Sequence, residues 1–141
     1  MDCSVGFILE QPVGARRPGD IALAFESLAK NPVDGMIVLV ESFSYGERYV
    51  IARLAMQQRL PTIFEARDYA DAGGLLSYGI RYHEMFEQGA TYIARILQGA
   101  HPRELPVVEA SRFVIVLNMR TAKAIGLAIP PSVSVQTDII E

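Results

Sequence analysis

The chain has 141 residues, half of them apolar, which is the size and composition of one ordinary domain with enough apolar side chains for a core. Its 13 basic and 16 acidic side chains give a net charge of −3 with no basic stripe, so nucleic acid is not an expected partner. The longest apolar run, Gly35 to Val40, is far too short to cross a bilayer, and Met1 onward lacks the basic-then-apolar layout of a signal peptide, so the chain as written is expected to stay in the cytoplasm.

Val5 to Leu9 is a brief apolar run closed by Glu10, Pro12 and Gly14, which predicts a strand over 4–10. Pro18 suits the first helical position and Asp20 faces the positive end of the helix dipole, so a helix is predicted over 18–30 with Ile21, Phe25 and Leu28 on its inner face. Asn31 and Pro32 stop it. Gly35 to Val40 runs without alternation, as a parallel strand covered by helices on both faces does. A helix follows over 45–59 with Val50, Ile51, Leu54 and Ala55 at helical spacing, and a third strand begins at Pro61. This alternation predicts an α/β fold with a mostly parallel, doubly wound, flavodoxin-like sheet.

Beyond a short turn over 68–72, Gly73 and Gly74 lead into a strand over 74–79 that Gly79 ends. Tyr82, Phe86, Gly89, Ile93 and Ile96 then recur at spacings of four, three, four and three, predicting a long helix over 81–98 capped by Gly99. Phe113 to Leu117 reads as a last strand over 112–117, Thr121 to Ile125 as a short helix ended by Gly126, and the Pro130–Pro131 tail as a turn or short helix at best.

Open parallel sheets bind ligands at the carboxyl ends of their strands. Two such ends bear functional groups: Glu41, Ser42 and Phe43 after one strand, and Glu65, Ala66, Arg67 and Asp68 after the next. Together they offer carboxylates, a hydroxyl, a guanidinium and a ring, the groups that hold an ammonium, a carboxylate and an apolar body. The alternative is that Arg67 merely pairs with Glu65 or Asp68. Glycines 73, 74 and 79 read as turn glycines, since no lysine follows them at phosphate-loop spacing. Cys3 is alone, His83 and His101 lack neighbours at ligand spacing, and no serine sits in a nucleophile elbow. Neither a metal, a cofactor nor a catalytic residue is expected.

The stretch Leu60-Pro61-Thr62-Ile63-Phe64-Glu65-Ala66-Arg67-Asp68, continuing through Ala72-Gly73-Gly74-Leu75 to Ser77-Tyr78-Gly79, resembles the hallmark segment of ABC-transporter substrate-binding proteins with the type I periplasmic binding fold. The resemblance continues through Ala94-Arg95-Ile96-Leu97-Gln98-Gly99, Leu105-Pro106-Val107, Leu117-Asn118, Thr121 to Leu127 and Ile129-Pro130-Pro131, and so covers residues 20 to 141. Family members often carry Asp-Pro where Glu41-Ser42 stands here.

The resemblance implies one incomplete lobe of a two-lobed protein that closes on a small solute, such as an amino acid, and presents it to an ABC permease. It implies no catalysis, and a periplasmic or membrane-anchored setting. Its half-site is expected to comprise Glu41, Ser42, Phe43, Glu65, Arg67, Ser77 and Tyr78. Residues 1–79 are expected to belong to the C-terminal lobe, 80–110 to cross to the other lobe, and 111–141 to return. The lobe's opening strand, expected between the strands at 4–10 and 35–40, is absent, so the chain reads as a truncated form prone to self-association through an open sheet edge. Two alternatives share the fold: the effector domain of a sugar-type transcription regulator, for which no helix-turn-helix is present, and a small flavodoxin-like enzyme, for which no phosphate-gripping first loop is present.

Overall fold

The computed structural model of the chain describes residues 12–108, 113–134 and 137–141. The strand predicted over 4–10 lies outside them. Helix α1 (Pro18–Lys30) starts where proline costs no hydrogen bond, and the Asp20 carboxylate accepts the Arg16 and Arg17 amides at 3.0 and 3.1 Å. The Arg16 amide chiefly holds that carboxyl below its ordinary range. Strand β1 (Met36–Val38), helices α2 (Ser42–Gly46) and α3 (Arg48–Gln57), strand β2 (Thr62–Phe64) and helix α4 (Arg67–Asp71) follow. Strand β3 (Leu76–Ile80), helix α5 (Tyr82–Leu97), a 3-10 turn (Pro102–Glu104), strand β4 (Phe113–Asn118), helices α6 (Met119–Ile125) and α7 (Pro131–Ser134), and strand β5 (Asp138–Ile140) complete the elements among the described residues.

The five strands lie side by side in sequence order, with β1–β2, β2–β3 and β4–β5 parallel and β3–β4 antiparallel. The mostly parallel sheet of an α/β fold is therefore present. Four local expectations change. The helix predicted over 45–59 begins earlier and is two helices, because Gly46, a weak helix former, interrupts it before Glu47 starts α3. The turn predicted over 68–72 is the helix α4. The Pro130–Pro131 tail starts the short helix α7, as expected, but goes on to a strand, β5, which short local patterning missed because its pairing with Val116 to Asn118 is long-range. Gly79 lies inside β3 rather than at its end, and a Cβ there would meet the Glu65 carbonyl oxygen at 1.7 Å. Only glycine lets β3 pass the turn between β2 and α4 so closely.

One face of the sheet is packed. Ile21, Phe25 and Leu28 of α1 meet Ile51 and Ala55 of α3, Phe64 of β2 and Tyr69 of α4 in one core. A smaller core joins Leu75 and Leu117 to Ala122 and Ile125 of α6. Asn118 links the two ends: its side chain donates to the Ala70 carbonyl at 3.0 Å and accepts the Thr121 amide at 3.1 Å, while the Thr121 hydroxyl donates to Gly73 O at 2.9 Å. The matching positions Asn118 and Thr121 thus fix the α4–β3 turn to the start of α6.

The other face is bare among the described residues, contrary to the expectation that the apolar strand is covered on both sides. Ile37 is 71% exposed, and Leu39, Ile63, Tyr78 and Phe113 are exposed beside it or on neighbouring strands. Ile37, Leu39, Ile63 and Tyr78 border an apolar trough of about 410 Å³ with Leu76, Ile115 and, from α7, Val133. Helix α5 also has no buried residue: Phe86, Ile93 and Leu97 are exposed, although Gly99 at φ +102 caps it as predicted, with the Ala100 and Gly99 amides bonded to Arg95 O and Ile96 O.

Candidate ligand cavity at the strand ends

The carboxyl ends of β2 and β3 open onto a concavity of about 530 Å³. Strand pleating decides what reaches it. Ser77 and Tyr78 are consecutive in β3 and point to opposite faces. Ser77, buried, lines the concavity with Val114 and Val116 of β4, whereas Tyr78 faces the apolar trough and stacks on Phe113 at 5.3 Å. Arg67, the first residue of α4, stands at the cavity wall with Asp68. Of the seven predicted ligand residues, Arg67 and Ser77 are therefore brought together here.

The other five stand elsewhere. Glu65 turns its carboxylate back to the Val40 amide at 3.0 Å, fixing the end of β1 to the end of β2. Glu41 is the N-cap of α2 and its amide donates to the Ser44 hydroxyl at 3.0 Å. Ser42 is exposed in the first turn, and Phe43 packs against the main core. Because α2 starts at Ser42, the ring it presents to the cavity is Tyr45, a residue the reading of the strand end as a loop passed over.

Tyr69 supports this arrangement from behind. Its ring is fully buried, stacks on Phe64 at 4.8 Å and meets Tyr45 edge-on at 6.2 Å. Its hydroxyl lies 2.9 Å from that of Ser44, which in turn reaches the Leu39 and Glu41 carbonyls. Burial holds the Tyr69 phenol above its ordinary range, with the Ser44 hydrogen bond opposing that shift. The Gly74 backbone closes the same corner, since a Cβ there would meet Phe64 and the Tyr69 carbonyl within 3.0 Å.

Charge converges at the mouth. Arg67 does not pair with Glu65 or Asp68; it reaches Asp71 at 3.5 Å within α4 and Asp138 of β5 at 3.4 Å. Arg81, at the junction of β3 and α5, also reaches Asp138, at 3.9 Å, and Glu84 at 3.8 Å. Tyr82 and Phe86 of α5 add apolar surface to the wall. Asp138 escaped sequence reading because the strand that delivers it was not predicted. Among the described residues, no cluster of three or more His, Cys, Asp or Glu suits a metal ion, and no helix is long and apolar enough to cross a membrane.

Comparison with known families matches residues 9–140 to the family described as ABC transporter substrate binding protein. Among curated proteins nothing matches. The fold is similar to that of a conserved domain protein from Vibrio cholerae at 26% identity and a TM-score of 0.80, with 90% of this chain and 43% of that one covered. It is also similar to an ABC domain in complex with L-Trp from Streptococcus pneumonia at 24% identity and a TM-score of 0.76, covering 88% of this chain and 43% of that one. A ligand-free, open substrate-binding protein with adhesive properties from Clostridium difficile matches at 19% identity and a TM-score of 0.63, covering 87% and 41% respectively. The chain thus spans less than half the length of each of these three structures.

Proposed function

The chain belongs to the ABC transporter substrate-binding protein family, and we propose that it forms one face of the solute site in the binding component of an ABC import system, with an amino acid as the solute. The observation that carries this reading is the juxtaposition, in one cavity at the carboxyl strand ends, of the Arg67 guanidinium, the Asp68 and Asp138 carboxylates and the Tyr45 and Tyr82 rings. A guanidinium suits a ligand carboxylate, the acids suit an ammonium, and the rings suit an apolar or aromatic side chain. The L-Trp complex of the Streptococcus relative supports an amino acid of that kind. The family is one of binding rather than catalytic proteins, so the reading assigns no reaction, and its setting is extracytoplasmic with permease subunits as partners.

On this reading the cavity is half of a cleft. Residues 1–79 contribute to one lobe, 80–110 carry the chain across to a complementary lobe, and 111–141 return. The bare stripe of α5 and the share of about 43% of the relatives' length support that division. An open half-site does not exclude water from charged contacts, so the chain alone is expected to bind amino acids only weakly, at far higher concentration than a closed two-lobed protein would need.

Calorimetry on the chain joined to the complementary lobe of a full-length relative tests the proposal. L-Trp or another amino acid should bind, and Arg67→Ala should weaken binding about 10- to 100-fold, the loss of one charge-assisted contact. A cooperatively melting hybrid that takes up no amino acid would overturn it.

A further inference from the structure

Five charged side chains alternate in sign along one run of ion pairs, Asp71, Arg67, Asp138, Arg81 and Glu84, of which all but Asp71 line the cavity. Asp71 lies on the same helix as Arg67, four residues on, and Glu84 lies three residues beyond Arg81. Each guanidinium is therefore braced by an acid of its own segment. Asp138 alone comes from elsewhere in the chain, at the start of β5, and the same oxygen, Oδ2, is shared by both arginines at 3.4 and 3.9 Å. These contacts are long and the side chains are about half exposed, 48% for Asp138 and 52 to 56% for the arginines, so each is weak and easily exchanged. A guanidinium carries five N–H donors, and one shared oxygen at such distances leaves most of that capacity free.

We propose that Asp138 is the specificity-determining residue of this cavity: a built-in carboxylate that occupies the Arg67–Arg81 pair and yields it only to a ligand that brings both a carboxylate and an ammonium. The proposal rests on the solute-binding reading above and names the charge pattern of the solute. A ligand carboxylate entering alone is pushed against the Asp138 charge. A zwitterion instead places its carboxylate on the guanidiniums and its ammonium on Asp138, so the alternating charge pattern is kept. Because Asp71 and Glu84 stay in place, removing the Asp138 charge leaves both arginines aimed at a vacated anion position.

The chain as it stands suffices for the test, with acetate, methylammonium and glycine as probes and the arginine Nε–Hε resonances as the readout. In the unsubstituted chain, Arg67 and Arg81 should shift at lower glycine than acetate concentration, and methylammonium should leave both nearly unmoved. In Asp138→Asn the acetate midpoint should fall about tenfold and the glycine preference should vanish, the consequence of losing one like-charge repulsion and one ammonium partner. Asp71→Asn, which removes one negative charge on α4 itself, should leave the glycine-to-acetate ratio unchanged. The inference is overturned by an unchanged ratio in Asp138→Asn, by an equal gain in Asp71→Asn, or by silence of both arginines towards all three probes in every variant. Failure of the solute-binding reading has a separate signature, the absence of amino-acid binding by the hybrid carrying a complementary lobe.

Discussion

Tyr69 is the residue on which the cavity wall depends without lining it. Its hydroxyl meets Ser44, Ser44 holds the turn from β1 into α2, and α2 presents Tyr45. Removing the hydroxyl in Tyr69→Phe keeps the ring stacked on Phe64 and leaves Ser44 its backbone partners, so a cost of about 1 kcal/mol is expected. The pH dependence follows from burial. The folded state keeps the phenol neutral above its usual value of 10.0, whereas the unfolded chain ionises it there. Stability therefore falls as pH rises above about 10, where only the unfolded state gains from ionisation. Urea melts between pH 8 and 11 should show a shallower alkaline decline in Tyr69→Phe; an identical decline would show that burial of Tyr69 is not its cause.

Helix α5 was legible from its spacing, and its ends agree with the pattern to within a residue or two. Periodicity reports that an element has an apolar face and says nothing of what lies against it. Phe86 at 75% and Ile93 at 61% exposure pack on nothing among the described residues that would shield them. Their replacement should accordingly cost little here: Phe86→Ser with Ile93→Ser is expected to change the stability of this chain by under about 0.5 kcal/mol, as surface substitutions do. In a hybrid carrying the complementary lobe the same pair should cost about 3 to 6 kcal/mol, since each side chain would then be buried. Chemical melts of both proteins make the comparison, and a large loss in the chain alone would mean that α5 is already packed on its own fold.

For the whole molecule, the decisive feature is the bare sheet face. Ile37, Leu39, Ile63, Tyr78 and Phe113 lie exposed along it, and β1 ends the sheet among the described residues with no further strand beside it. Burying such side chains is worth about 1.5 to 3 kcal/mol each, comparable in sum with a domain's margin of stability. Pairing of the face with a second copy is therefore the expected behaviour of the isolated chain. Size-exclusion chromatography should show concentration-dependent species larger than a monomer, and Ile37→Lys should reduce them. A sharp monomer peak with a cooperative melt would show that the chain closes its own core.

What the sequence by itself determined was local: apolar runs and helical spacing placed α1, α5, α6 and four of the five observed strands, and the ordered motif string identified the family. Proline and glycine punctuation act within a few residues of where they stand, so they are readable without a fold. The tertiary structure alone decided what depends on contacts between distant segments. Strand β5 exists because β4 offers it a ladder, and only then does Asp138 reach Arg67 across 71 positions of chain. Gly79 serves a close passage past Glu65 rather than a turn. The candidate site divided for the same reason: the pleat sends Ser77 to the cavity and Tyr78 to the opposite face, and the early start of α2 replaces Glu41, Ser42 and Phe43 with Tyr45. Residue type marks chemistry, but direction is set by which neighbour a strand or helix packs against, and that information is held by the whole chain.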